Sequence, residues 1–156
     1  MAKQRLVNTK FWTDTYSSKL DPIEKLMFLY FLTNPHTNIS GIYELPLRNI
    51  AFDTGIDKDM VEKILERFAK DQKIHYIDGW VYIVNFVKNQ NQGSSKVQTG
   101  INNELSKVPT QIVHKIKEIN GTDTLSHLNP NSNLNLTEFN SNLNSFKNNF
   151  GKKPNQ

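Results

Sequence analysis

Three cations, Lys58, Lys63 and Arg67, follow one another at intervals of five and four residues in DKDMVEKILERF, soon after the glycine at position 55. Cations on an exposed helix do no covalent chemistry; they neutralise phosphates and release the counterions condensed around nucleic acid. A second group, Lys73, His75, Trp80 and Tyr82, lies in KIHYIDGWVYIV. Rings beside a cation can stack on unpaired bases or lie along a duplex backbone. Bond-making chemistry finds no footing. His36, His75, His114 and His127 are scattered without metal-ligand spacing, cysteine is absent, and no glycine-rich phosphate loop or nucleophile motif occurs. The sequence therefore predicts no catalytic residue, no metal and no cofactor.

Acids complicate the first group. Between Asp57 and Asp71, four bases (Lys58, Lys63, Arg67, Lys70) meet five acids (Asp57, Asp59, Glu62, Glu66, Asp71). The competing reading is a solvated face laced by pairs such as Asp59 with Lys63. For the rings, the competing reading is a cover supplied by Phe11 and Trp12 of the N-terminal arm, or by a second subunit. The net charge of +4 gathers at the ends of the chain. Residues 1–20 hold four bases and one acid, residues 21–87 seven and ten, and residues 88–156 eight and four. Sequence-independent phosphate contacts are expected from Lys3, Arg5 and Lys10 in front, and from Lys88, Lys96, Lys107, Lys115 and Lys117 behind.

Local signals define the elements that must position these groups. The segment RLVNTKFWTDTYSSKL starts strand-like and turns helical behind a Thr9 cap, with Trp12 and Tyr16 on one face. Asp21-Pro22-Ile23-Glu24 combines an N-cap acceptor, a proline at the first helical position and a glutamate that can reach back, which predicts a helix over 21–33. Leu26 to Leu32 is apolar all round that helix, so it should be wrapped on every side as the centre of the core. Gly41 to Leu45 reads as a short strand, and Pro46 can begin the next helix. In LRNIAFDTGIDKDMVEKIL, Leu47, Ile50 and Ala51 face one way, Gly55 supplies a left-handed turn, Asp57 caps, and Val61, Ile64, Leu65 and Phe68 face the core. Asp78-Gly79 suits a two-residue hairpin turn. It pairs Ile77 with Trp80, His75 with Tyr82 and Lys73 with Val84 on an exposed face, and turns Ile74, Tyr76, Val81 and Ile83 inward.

These elements predict a mainly α fold with a small β-hairpin: a winged helix-turn-helix with an N-terminal arm over 1–90. A polar linker at 91–100, a short helical extension at 101–120 and an asparagine-rich tail at 121–156 should follow. Eleven of the 37 residues from Asn120 onward are asparagine, a composition that favours disorder. Leu136, Phe139, Leu143, Phe146 and Phe150 are nevertheless spaced for a short amphipathic helix or a partner-binding segment. The longest apolar run falls far short of the roughly 20 residues of a membrane span, and no secretory signal opens the chain. A soluble cytoplasmic protein is expected, consistent with the absence of cysteine.

Residues 5–90 resemble the N-terminal winged-helix domains of DnaD-like replication initiation proteins, encoded by bacteriophages and low-GC Gram-positive bacteria. The resemblance rests on Lys10-Phe11-Trp12, Asp21-Pro22-Ile23-Glu24-Lys25, Leu32-Thr33-Asn34-Pro35 and Gly41-Ile42-Tyr43-Glu44. It continues through Ile50-Ala51-Phe52-Asp53-Thr54-Gly55 and Asp78 to Phe86. It implies a replisome organiser in a bacterial host cell that binds origin DNA, often as a homo-oligomer, and helps recruit a helicase loader or replicative helicase. The fuller members continue into a second, DNA-binding helical domain, where this chain has its asparagine-rich segment. Two other readings stay open: an oligomerising protein-interaction scaffold built on the same fold, and a transcriptional regulator.

Overall fold

The computed structural model describes residues 4–89 and 94–121. Lys3, His127 and the Leu136 to Phe150 pattern lie outside the described residues. Two compact units divide the chain, Met1–Val108 and Pro109–Gln156.

In the first unit, the opening segment forms a 3-10 turn at Thr9–Trp12, and Asn8 rather than Thr9 accepts its capping bond, from the Lys10 amide. Helix α1 (Thr15–Ser18) follows behind the Asp14 cap. Helix α2 (Pro22–Thr33) begins where its capping box predicts: the Glu24 amide donates to Asp21 Oδ1 at 2.9 Å, and the Asp21 amide donates to Glu24 Oε2 at 2.9 Å. Met27 and Phe31 are wholly buried, each burial stabilising by about 1.5–3 kcal/mol. The expectation that α2 is wrapped on every side is corrected. Ile23 and Leu26 keep 46% and 49% of their surface, while Met27 and Phe31 are buried and Phe28, Tyr30 and Leu32 are partly buried against the core. The helix ends at Asn34, whose side chain donates to the Tyr30 carbonyl and to the Tyr43 hydroxyl.

Strand β1 (Ile42–Glu44) leads to α3 (Leu47–Thr54), with Pro46 as its N-cap residue. Gly55 ends α3 at φ 71°, the left-handed conformation that a Cβ would strain, and its amide donates to the Ala51 carbonyl at 3.0 Å. Asp57 then caps α4 (Lys58–Lys70) by accepting from the Met60 amide at 3.0 Å. Val61, Ile64, Leu65 and Phe68 of α4 and Ile50 of α3 are buried together in one core, with Leu47 and Ala51 partly buried against it.

Strands β2 (Ile74–Ile77) and β3 (Trp80–Ile83) join through Asp78 and Gly79, both at positive φ, in the register the sequence predicts. β1 pairs with the free edge of β3, giving a three-stranded antiparallel sheet in the order β1-β3-β2. The fold is thus mainly α with a small β-hairpin, arranged as a winged helix-turn-helix. A short helix α5 (Phe86–Asn89) returns Phe86 to the core.

The stretch expected as a linker is helical over much of its length. Helix α6 spans Ser95–Leu105, capped by Ser94, and so starts within 91–100 rather than at 101. It meets the loop before β1: Asn38 donates to Glu104 at 3.3 Å, and a Cβ on Gly100 would collide with Ile39. In the second unit, helix α7 (Thr110–Asn120) buries Ile112 and Ile116, four residues apart.

Candidate nucleic-acid interface

The candidate surface is built on α4, whose buried stripe fixes which residues point outward. Lys58, Lys63, Arg67 and Lys70 are all exposed, alternating with Asp59, Glu62 and Glu66. Their surroundings differ sharply from one end of the helix to the other.

Arg67 does not stand free. Its guanidinium donates to Glu24 Oε1 and lies 3.7 Å from Asp71 Oδ2. Glu24 is buried, and its other carboxylate oxygen is engaged in the capping box. A buried carboxylate requires a partner or it loses its charge; Arg67 is that partner, and the Glu24 hydrogen bond in turn raises the guanidinium pKa further. Arg67, expected as a groove contact, is thus paired within the fold while 43% of its side chain stays exposed. Lys73 is engaged too, its ammonium 4.7 Å from the centre of the Tyr16 ring, a favourable cation–π geometry. The Tyr16 hydroxyl donates to Asp71 Oδ2 at 3.0 Å, and burial together with that bond raises its pKa. Glu24, Arg67, Asp71, Tyr16 and Lys73 thus form one network that ties the arm to α2, to the end of α4 and to the approach to β2.

The other end of α4 is more open. Lys58 lies 3.8 Å from Glu62, with both side chains exposed, a pair of little energetic weight. Lys63 is exposed. Next to Lys58 a concavity is lined by Pro46, Leu47, Arg48, Ala51 and Lys58. Arg48 and the neighbouring Phe52 are both exposed. The sequence reading gave neither a role, although the α3 core spacing through Leu47, Ile50, Ala51 and Thr54 already turns Phe52 away from the core.

The wing also departs from expectation. His75 is 6% exposed, not part of an open aromatic face. Its register neighbours across the sheet are Tyr82 and Ile42, and the His75 and Tyr82 rings stack with centroids 6.0 Å apart. Burial lowers the His75 pKa and favours the neutral ring, whose Nε2 makes no hydrogen bond. Trp80 and Tyr82 are half-buried. In the arm, Phe11 stacks on Phe28 of α2 at 5.8 Å, and Trp12 sits edge-on to Phe11 with 64% of its surface exposed. Trp12 and Tyr16 therefore have different surroundings, because Tyr16 packs against Phe28.

Of the flanking cations, Arg5 donates to the Thr37 carbonyl, which pins the arm to the loop after α2. Lys10, Lys88 and Lys96 are exposed, and Lys107 pairs with Glu104 at 2.9 Å. In the second unit Lys115 is exposed and Lys117 is half-buried. Among the described residues no three His, Cys, Asp or Glu side chains gather in a metal-binding group, and no helix is long and apolar enough to cross a membrane. No protein family, curated protein or solved structure matches the chain.

Proposed function

We propose that the chain is a DNA-binding replication initiation protein, a replisome organiser of phage or prophage origin, that engages DNA through its winged helix. The observation that carries this reading is the order α2, β1, α3, α4, β2, β3, with the outer side of α4 exposed behind a glycine-centred turn. The resemblance of residues 5–90 to DnaD-like proteins adds origin DNA, a helicase loader or helicase, and other copies of the chain as proposed partners. With Arg67 and Lys73 held internally, groove contact falls to Lys58 and Lys63. Phosphate contact falls to Lys10, Lys88 and Lys96, with Arg5 available only at the expense of its bond to Thr37.

A gel-shift titration across salt tests the proposal. Binding is expected at low salt and weakens as salt rises, with Lys63→Ala lowering the salt slope by about one. Absence of binding at low salt, or binding indifferent to salt, sinks it. The acids along α4 favour a second reading, an oligomerising protein-interaction scaffold on the same fold. Retained self-association in a chain that never shifts DNA would select that one.

A further inference from the structure

Among the described residues two of the Phe, Tyr and Trp rings stand open, Phe52 with 88% of its surface exposed and Trp12 with 64%. Only Trp12 lies in a stretch where cations prevail: residues 1–20 hold Lys3, Arg5, Lys10 and Lys19 against Asp14 alone. Asp14 is engaged as the cap of α1, accepting from the Tyr16 and Ser17 amides at 3.0 and 3.3 Å. Lys10 is exposed and makes no ion pair among the described residues. It shares the 3-10 turn with Trp12, and its backbone fixes that turn. The Lys10 amide donates to Asn8 Oδ1 at 2.9 Å, and the Lys10 carbonyl accepts from the Thr13 and Asp14 amides at 3.0 and 2.8 Å. The indole is braced from below by a chain of rings. Trp12 stands edge-on to Phe11 at 5.1 Å, Phe11 stacks on Phe28, and Phe28 meets the wholly buried Phe68 at 5.5 Å.

Building on the DNA-binding reading, we infer that this turn is a stacking platform for an unpaired base of a single strand, with Trp12 against the base and Lys10 at its phosphate. Bases inside a duplex already stack on one another, so a fixed, open ring finds its complement in a single strand, whose bases offer a free π-face. A ring braced in advance loses little freedom on binding, and the cation beside it supplies the counterion release. The excess positive charge of the arm selects an anionic occupant. Arg5 anchors the stretch before the turn to the Thr37 carbonyl, which keeps the platform in place. His75, expected as a stacking ring on the wing, is buried, and the arm is where an open ring and an unpaired cation coincide.

Two measurements on the full chain test it. The chain has two tryptophans, so Trp80→Phe leaves Trp12 as the sole indole, and its emission is expected to be quenched as oligothymidylate is added. Independently of that variant, anisotropy of labelled oligothymidylate compares wild type with Trp12→Ala, whose fold is checked by circular dichroism. Affinity for the single strand is expected to fall roughly five- to 150-fold in Trp12→Ala, the range for loss of one stacked base, and to be largely kept in Trp12→Phe. Affinity for a duplex of the same length should change less than about twofold, because its bases are already stacked. Lys10→Ala should lower the single-strand salt slope by about 0.7. Unquenched Trp12 emission at saturating oligonucleotide overturns the inference, as does a Trp12→Ala chain that binds single strands like wild type or loses single strand and duplex equally. In those cases a wild-type duplex shift leaves the DNA-binding reading standing, whereas a chain that binds neither strand form sinks both. Emission that responds to phosphatidylglycerol vesicles but not to oligothymidylate assigns the arm to a lipid surface and overturns the inference too.

Discussion

The two ends of α4 carry similar charges to opposite effect. At the C-terminal end, Arg67 and the nearby Lys73 meet Glu24, Asp71 and the Tyr16 ring, so their charge is paired with groups of the fold. At the N-terminal end, Lys58 has only a long contact to Glu62, and Arg48 and Phe52 of α3 stand open beside it. A cation identified from sequence is thus a contact candidate only if no buried acid claims it first. One end of the helix belongs to the architecture, the other to whatever the protein meets.

Two phenylalanines give the sharpest test of that division. Phe68, wholly buried and edge-on to Phe28 at 5.5 Å, should cost about 3–5 kcal/mol of stability when changed to alanine. Phe52→Ala should stay within about 0.5 kcal/mol of wild type. Urea titrations followed by circular dichroism measure both, and comparable losses would erase the distinction between the ends.

Alkaline pH probes the interior beneath the sheet. Burial pushes the Tyr43 hydroxyl up to about 12 from 10.0, so the folded state retains a proton that the unfolded chain gives up. The Tyr43 contribution is therefore complete below pH 10 and is lost as pH climbs from 10 to about 12. It amounts to roughly 2–3 kcal/mol at about 1.4 kcal/mol per unit. A urea midpoint that stays level across that window would contradict it.

Tyr16→Phe removes only the hydroxyl that donates to Asp71. The expected loss is about 0.5–1 kcal/mol, at the low end for a hydrogen bond because the site is partly open to water. The weakest effect belongs to Lys58→Ala, which should leave the thermal midpoint unmoved while reducing DNA affinity, since its ion pair lies in solvent. A drop in midpoint as large as that of Tyr16→Phe would show that the N-terminal end is tied down as well.

Much of this fold was legible because its signals are local. Asp21 and Glu24 close a capping box within one turn, Gly55 must bend left-handed, and Asp78-Gly79 sets the hairpin register residue by residue. What escaped depends on distance along the chain. Glu24 was legible as a cap but not as the partner of Arg67, 43 residues away. His75 alternates correctly onto the second face of the sheet, yet alternation does not reveal whether that face is covered. The start of α6 looked like a linker because SSKVQTG is polar and contains a glycine, and only packing explains that glycine: Gly100 sits where a side chain would strike Ile39. The apolar run of α2 misled in the opposite direction, since Leu26 shows that greasy composition does not oblige every side to be covered.

Gly41 has the last effect along the chain. It lies at φ 74°, and a methyl placed on it would come within 2.5 Å of the Phe86 Cβ. The bare backbone before the first strand is therefore the seat on which the residue after the third strand rests. Even alanine at position 41 would collide with that ring and strain the backbone at a positive φ. The seat of Phe86 is set by an atom that is missing, so grafting this domain onto other partners requires the glycine and the ring to travel as a pair.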